Sequence, residues 1–193
     1  MKRGSLLITK DKEFPREFLG EFLGKNVKGQ IWVETMVYTL IAFALIGLVL
    51  AFVKPKIEET QDKGVIEQSI RILESIDYVI INLGGPGNQR VLEIGLNKGT
   101  IFVDGLNDTI YFKMDSKYVY SQLGEEVDVG GITATTEKKG SVNEVTLVKN
   151  YSGEYNITFQ NKEELKEITK ASTPYKFIIL DKGNNTINVE VTS

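Results

Sequence analysis

The sequence predicts an α+β chain: one long N-terminal helix, apolar in its first part, packed on a C-terminal antiparallel β-rich head. Three observations carry this. From Ile31 to Val53 the run IWVETMVYTLIAFALIGLVLAFV holds a single charged residue, Glu34. From Ile57 to Leu83 the apolar residues recur at steps of three and four, the helical period. Beyond Asn88 the period falls to two, with turn residues at short intervals.

Residues Met1 to Gly29 are charged and mixed, with lysines and arginines offset by Asp11, Glu13, Glu17 and Glu21. Phe18-Leu19 and Phe22-Leu23, one helical turn apart, form a weak apolar face. No small-residue cleavage site follows the apolar run, so this is not an ordinary secretory leader.

The stretch from Ile31 to Val53 is long enough to span a bilayer, whose hydrocarbon core of about 30 Å takes roughly 20 helical residues. Lys25 and Lys28 precede it, and Lys54 and Lys56 follow. The alternative, a buried core helix, needs a larger and more apolar protein around it than the remaining sequence supplies.

After Val53 the helical pattern continues, with Pro55 either kinking the helix or opening a new first turn. Val65, Ile66, Ile70, Leu73, Ile76, Ile80 and Leu83 form one stripe. Glu58, Glu59, Asp62, Glu67, Arg71 and Glu74 make the charged side. The helix is expected to end at Leu83, because Gly84-Gly85-Pro86-Gly87 combines cap glycines with a proline.

Strands are expected at Arg90–Leu96, Gly99–Val103, Thr109–Lys113, Gly131–Thr136, Glu144–Lys149, Glu154–Phe159, Tyr175–Leu180 and Thr186–Val191. Lys162 to Lys170 reads as one short helix. Four segments result: residues 1–29, 30–53, 54–83 and 84–193.

Composition narrows the functional classes. The net charge is −3 and the isoelectric point about 5.2, with no dense basic run. Nucleic-acid binding, which depends on lysine and arginine neutralising phosphates, is not expected. Cysteine and histidine are absent. Disulfides are therefore excluded, as are imidazole bases and the commonest metal ligand. No residues are placed together for catalysis, so an enzyme is not expected, nor is a cofactor or a metal.

The junction Gly24-Lys25-Asn26-Val27-Lys28-Gly29-Gln30-Ile31-Trp32-Val33-Glu34 carries the functional signal. It resembles archaeal type IV pilins and related proteins with class III signal peptides. Their leaders end in a basic residue and a glycine just before the apolar helix. The mature chain often begins with glutamine and has glutamate fifth. Here Lys28 and Gly29 precede the cut, Gln30 stands first and Glu34 fifth. Trp32 and Tyr38 depart from the pattern, where serine and leucine are common.

The resemblance implies a leader, residues 1–29, removed on the cytoplasmic side by a prepilin peptidase. The apolar helix is then kept, first as a single-pass membrane anchor and later as the core of a self-assembled surface filament. An assembly ATPase and a membrane platform protein are the implied partners. The implied role of Glu34 is to pair with the new α-amino group of Gln30 on a neighbouring subunit. A charge in lipid costs at least roughly 2.5 kcal/mol, so a partner is needed. The alternatives are a carboxylate reaching the headgroups, and a single-span relative that never polymerises, either a minor pilin or an anchored binding module.

Asn-x-Ser/Thr sequons begin at Asn107, Asn150, Asn156 and Asn184, all within the expected external head. Gly84-Gly85-Pro86-Gly87 lacks the Lys-Ser/Thr ending of a phosphate loop and follows a helix, so helix termination is the better reading. Glu125, Glu126 and Asp128, with Asp115, lack calcium-loop spacing and read as a solvated acidic loop. Tyr111, Phe112, Tyr118, Tyr120, Tyr151 and Tyr155 read as strand packing.

Overall fold

The computed structural model describes the backbone of residues 16–192 and the side chains of residues 31–192. Helix α1 (Arg16–Ile81) runs without a break through Pro55. Of the two expectations for Pro55, the opening of a new helix is therefore not met. Threonine and serine hydroxyls along the helix bond back to carbonyls four residues earlier, as Thr60 does to Lys56 at 2.9 Å.

The chain divides into two compact units, one up to Phe52 and one from Val53 onward. In the first, helix α1 carries the apolar run. The second contains the last part of α1 and all the strands.

Within the second unit, Ile66, Ile70, Leu73, Ile76, Ile80 and Leu83 are buried as the spacing predicted. Each fully buried side chain of this size contributes roughly 1.5–3 kcal/mol of transfer free energy. Ile57 stays exposed, so the buried stripe starts later than the apolar pattern. Asp62 belongs to the buried face and not to the charged side, being only 5% exposed. It precedes Ile66 by four residues, which puts both on one face.

The helix ends at Ile81, two residues before the expected stop. The Asn82 amide still bonds to the Tyr78 carbonyl at 3.1 Å, and its side chain caps the same oxygen at 2.7 Å. Gly84, at φ 86°, then takes the left-handed conformation that releases the chain. Gly87 donates to the Asp181 carbonyl at 2.7 Å, and Asp181 donates to Asn88 at 3.0 Å.

Ten strands follow: β1 (Gln89–Ile94), β2 (Thr100–Asp104), β3 (Thr109–Ser116), β4 (Glu126–Val129), β5 (Ile132–Lys139), β6 (Val142–Asn150), β7 (Asn156–Phe159), β8 (Leu165–Thr169), β9 (Tyr175–Gly183) and β10 (Thr186–Thr192). They form a four-stranded sheet, β1-β9-β10-β7, and a six-stranded sheet, β4-β5-β6-β3-β2-β8. Pairing is antiparallel throughout, except that β10 runs parallel to β7. The helix stripe and buried residues of both sheets, among them Phe112, Leu147, Phe177 and Val189, form one core cluster.

Two expectations fail here. The segment read as a helix, Lys162 to Lys170, contains edge strand β8, paired antiparallel with β2 from Thr100↔Thr169 to Asp104↔Leu165. Glu and Lys favour helix locally, but the free edge of β2 offers a ladder, and tertiary pairing overrides propensity. Charged side chains also suit an edge strand, because they discourage further pairing. The supposed acidic loop contains strand β4, with Glu126 and Asp128 paired to Thr135 and Thr133. A two-residue turn with Gly130 and Gly131 at φ 64° and 80° closes that hairpin.

Candidate functional site

Every side chain from Ile31 to Val53 is exposed. Leu40, Phe43 and Phe52 are 72%, 69% and 73% exposed. A continuous apolar surface of this extent is far beyond what a soluble monomer leaves uncovered. The helix is long and apolar enough here to cross a membrane. Its hydroxyls are already satisfied: Thr35 donates to the Ile31 carbonyl at 2.9 Å and Thr39 to the Thr35 carbonyl at 2.8 Å.

Glu34 sits one turn into this segment. Its Oε1 accepts a hydrogen bond from the Tyr38 hydroxyl at 3.1 Å. Sequence reasoning singled out Glu34 and passed over Tyr38 as a partner. The i, i+4 spacing of a carboxylate and a phenol was the available signal. The processing residues Lys28, Gly29 and Gln30 lie within the helical backbone, and their side chains fall outside the described residues.

In the second unit, ion pairs tie the helix to strand β6 and to loops that flank β2 and β3. Near its Val53 end, Glu58 pairs with Lys117, and Asp62 accepts from the Lys98 ammonium and, at 2.7 Å, from the Lys117 amide. The Lys117 hydrogen bond holds the Glu58 carboxyl below the usual carboxylate range. These groups line an open groove of about 620 Å³.

Toward the Ile81 end, Lys149 Nζ lies 2.9 Å from Asp77 Oδ2. Asp77 Oδ1 and the Tyr151 hydroxyl are enclosed, and neither has a partner in hydrogen-bonding geometry. Burial above all, and then the Asp77 carboxylate, push the Tyr151 phenol well above its ordinary value, so it stays protonated.

The sequon asparagines come together from three neighbouring loops. Asn107 lies between β2 and β3, Asn150 ends β6 and Asn156 opens β7, and Asn184 is in the β9–β10 turn. Ser152 Oγ donates to the Asn107 carbonyl at 2.9 Å, the Tyr151 amide to the Asp108 carbonyl at 2.9 Å, and the Asn156 amide to the Asn185 carbonyl at 2.8 Å. This rim lies toward the Asp77 end of the helix, away from the Glu58 and Asp62 ties.

The four sequons differ in accessibility. Asn184 and Asn185, at φ 51° and 58°, make a two-residue hairpin turn and are exposed. Asn107 is exposed, but its amide nitrogen donates to Asp104 Oδ2 at 2.8 Å. Asn150 is exposed, and its Oδ1 accepts from the Ser152 amide at 2.8 Å. Asn156 is half-buried, and the hydroxyl of its sequon partner Thr158 is buried and bonded to Asn188 Oδ1 at 3.1 Å.

Other candidates do not converge. Strands β5 and β6 separate Glu126 and Asp128 from Asp115, which lies 3.7 Å from Lys139 instead. Among the described residues no acidic cluster is arranged to hold a metal ion. Of the aromatics, Phe112 and Tyr151 are core residues, and Tyr111 stacks on Phe102 with centroids 4.6 Å apart.

No protein-family model, curated protein or solved structure matches the chain.

Proposed function

We propose that this chain is the structural subunit of an archaeal type IV pilus-like surface filament that serves adhesion. The observation that carries the reading is the exposed apolar helical segment, with Glu34 near its start, continuous with a helix whose later part is cemented into a β head. Such a segment needs an apolar environment. A bilayer supplies one before assembly, and the same segments of neighbouring copies supply one afterwards.

In this reading the prepilin peptidase cuts between Gly29 and Gln30. The assembly ATPase and platform protein then draw the mature subunit out of the membrane. Glu34 pairs with the amino group of Gln30 on the next copy, which neutralises both charges and sets the axial stagger. The head coats the filament, and its sequon rim takes N-linked glycans. The core ties support the head's part in this, since they give it a rigid attachment to its helix.

N-terminal sequencing of the mature protein, with electron microscopy of sheared surface material, tests the reading. It expects Gln30 as the first residue and filaments containing this chain. A mature protein beginning at Met1, or downstream of Val53, sinks it. A protein cut at Gln30 that stays in the membrane without filaments would instead identify a single-span, non-polymerising component.

A further inference from the structure

We propose that Tyr38 is a positioning residue for Glu34, holding its carboxylate by a hydrogen bond while the segment is embedded in lipid. The inference rests on reading Ile31–Val53 as a membrane span, and it adds a partner that acts before any second copy is present.

Helical side chains lean toward the N-terminus, so a donor at i+4 reaches back over the turn that carries residue i. Tyr38 Oη lies 3.1 Å from Glu34 Oε1. The neighbouring hydroxyls cannot substitute, because Thr35 and Thr39 donate to the Ile31 and Thr35 carbonyls. Residues 31 to 52 are exposed throughout, so among the described residues no titratable group of another element faces the pair. The phenol is therefore the described group that bonds the carboxylate.

Lipid offers a carboxylate none of the donors that water supplies, so a donor on the same helix offsets part of the cost of placing it there. The bond also keeps the group oriented along the helix, ready for exchange to a cationic partner. Tyrosine suits this place, because its ring tolerates the apolar surroundings and its hydroxyl supplies the donor.

The test is an infrared difference spectrum of the full chain at one fixed pH. The protein is reconstituted in vesicles of phosphatidylcholine and phosphatidylglycerol, and the Glu34 carboxyl band is assigned by subtracting the spectrum of Glu34→Gln. Tyr38→Phe should move that band in the direction expected for loss of a hydrogen bond. In the Glu34→Gln background, Tyr38→Phe should leave this region unchanged. Protein that resists extraction from the vesicles by alkaline carbonate, with the band in the same place in wild type and Tyr38→Phe, overturns the pairing and leaves the membrane reading standing. Protein that carbonate extracts from the vesicles overturns the two together.

Discussion

Lys149 Nζ stands 2.9 Å from Asp77 Oδ2, joining the end of β6 to the helix. Both side chains are more than four-fifths buried, at 17% and 18% exposed. Removing one partner therefore leaves a charge stranded beside the core. Asp77→Ala should destabilise the head by roughly 1–3 kcal/mol, a fall in Tm of several degrees. The double variant Asp77→Leu/Lys149→Met should recover most of that loss, because no unpaired charge remains. Thermal unfolding of the purified full chain in detergent checks both. Equal losses in the single and double variants would show that the pair is not coupled.

The helix stripe predicts a position-dependent cost. Ile66 and Ile76 are almost fully enclosed, whereas Ile57 is half exposed. Ile66→Ala or Ile76→Ala should each cost about 2–5 kcal/mol, and Ile57→Ala less than about 1 kcal/mol. Urea unfolding monitored by circular dichroism separates these. A severe effect at Ile57 would mean that its face is covered.

Acid should weaken the head through particular carboxylates. Lys139, bonded at 2.6 Å, holds the Glu144 carboxyl below its ordinary value of 4.5. Glu58 is lowered in the same way by Lys117. A depressed folded value contributes stability above the unfolded value, and that stability is lost as pH falls through the folded value. The unfolding temperature should stay level from about pH 7 to 5 and drop below that. Glu144→Gln should flatten the drop. Salt should reduce the Glu144 contribution, because its Lys139 partner is exposed.

Assembly should depend on Glu34 and not on the head's stability. Glu34→Ala is expected to mature at the same site as wild type and to yield few or no filaments. Gly29→Ala is expected to accumulate the uncut precursor. Immunoblots of cell fractions with electron microscopy distinguish the two, and normal filaments from Glu34→Ala would remove the proposed pairing.

The sequon rim predicts an order of glycan occupancy. Asn184 should be modified, because its turn is exposed. Asn156 should remain bare in the folded head, since Thr158 is buried and bonded. Glycopeptide mass spectrometry reads this directly, and full occupancy at Asn156 would require modification before folding.

The long helix, its apolar run and its buried stripe were legible in the sequence, because they follow from local periodicity and hydropathy. The Gly84-Gly85-Pro86-Gly87 stop was also legible, to within two residues. Eight of the strands were placed, with shifted ends, by alternation and turn glycines. Glu34 was visible as the one charge in the apolar run, and so were the four sequons.

Tertiary structure alone decided the rest. It made Leu165–Thr169 a strand by offering it the edge of β2, against its local preference for helix. It paired the buried Asp62 and the partly buried Asp77 by bringing Lys98 and Lys117 from loops, and Lys149 from β6, to a helix far from them in sequence. It also gathered Asn107, Asn150, Asn156 and Asn184 onto one rim by pairing β7 with β10 and bonding the loops together. Period and composition act over a few residues. Which edge is free, which charge meets a partner, and which loops become neighbours depend on contacts between residues far apart in the chain.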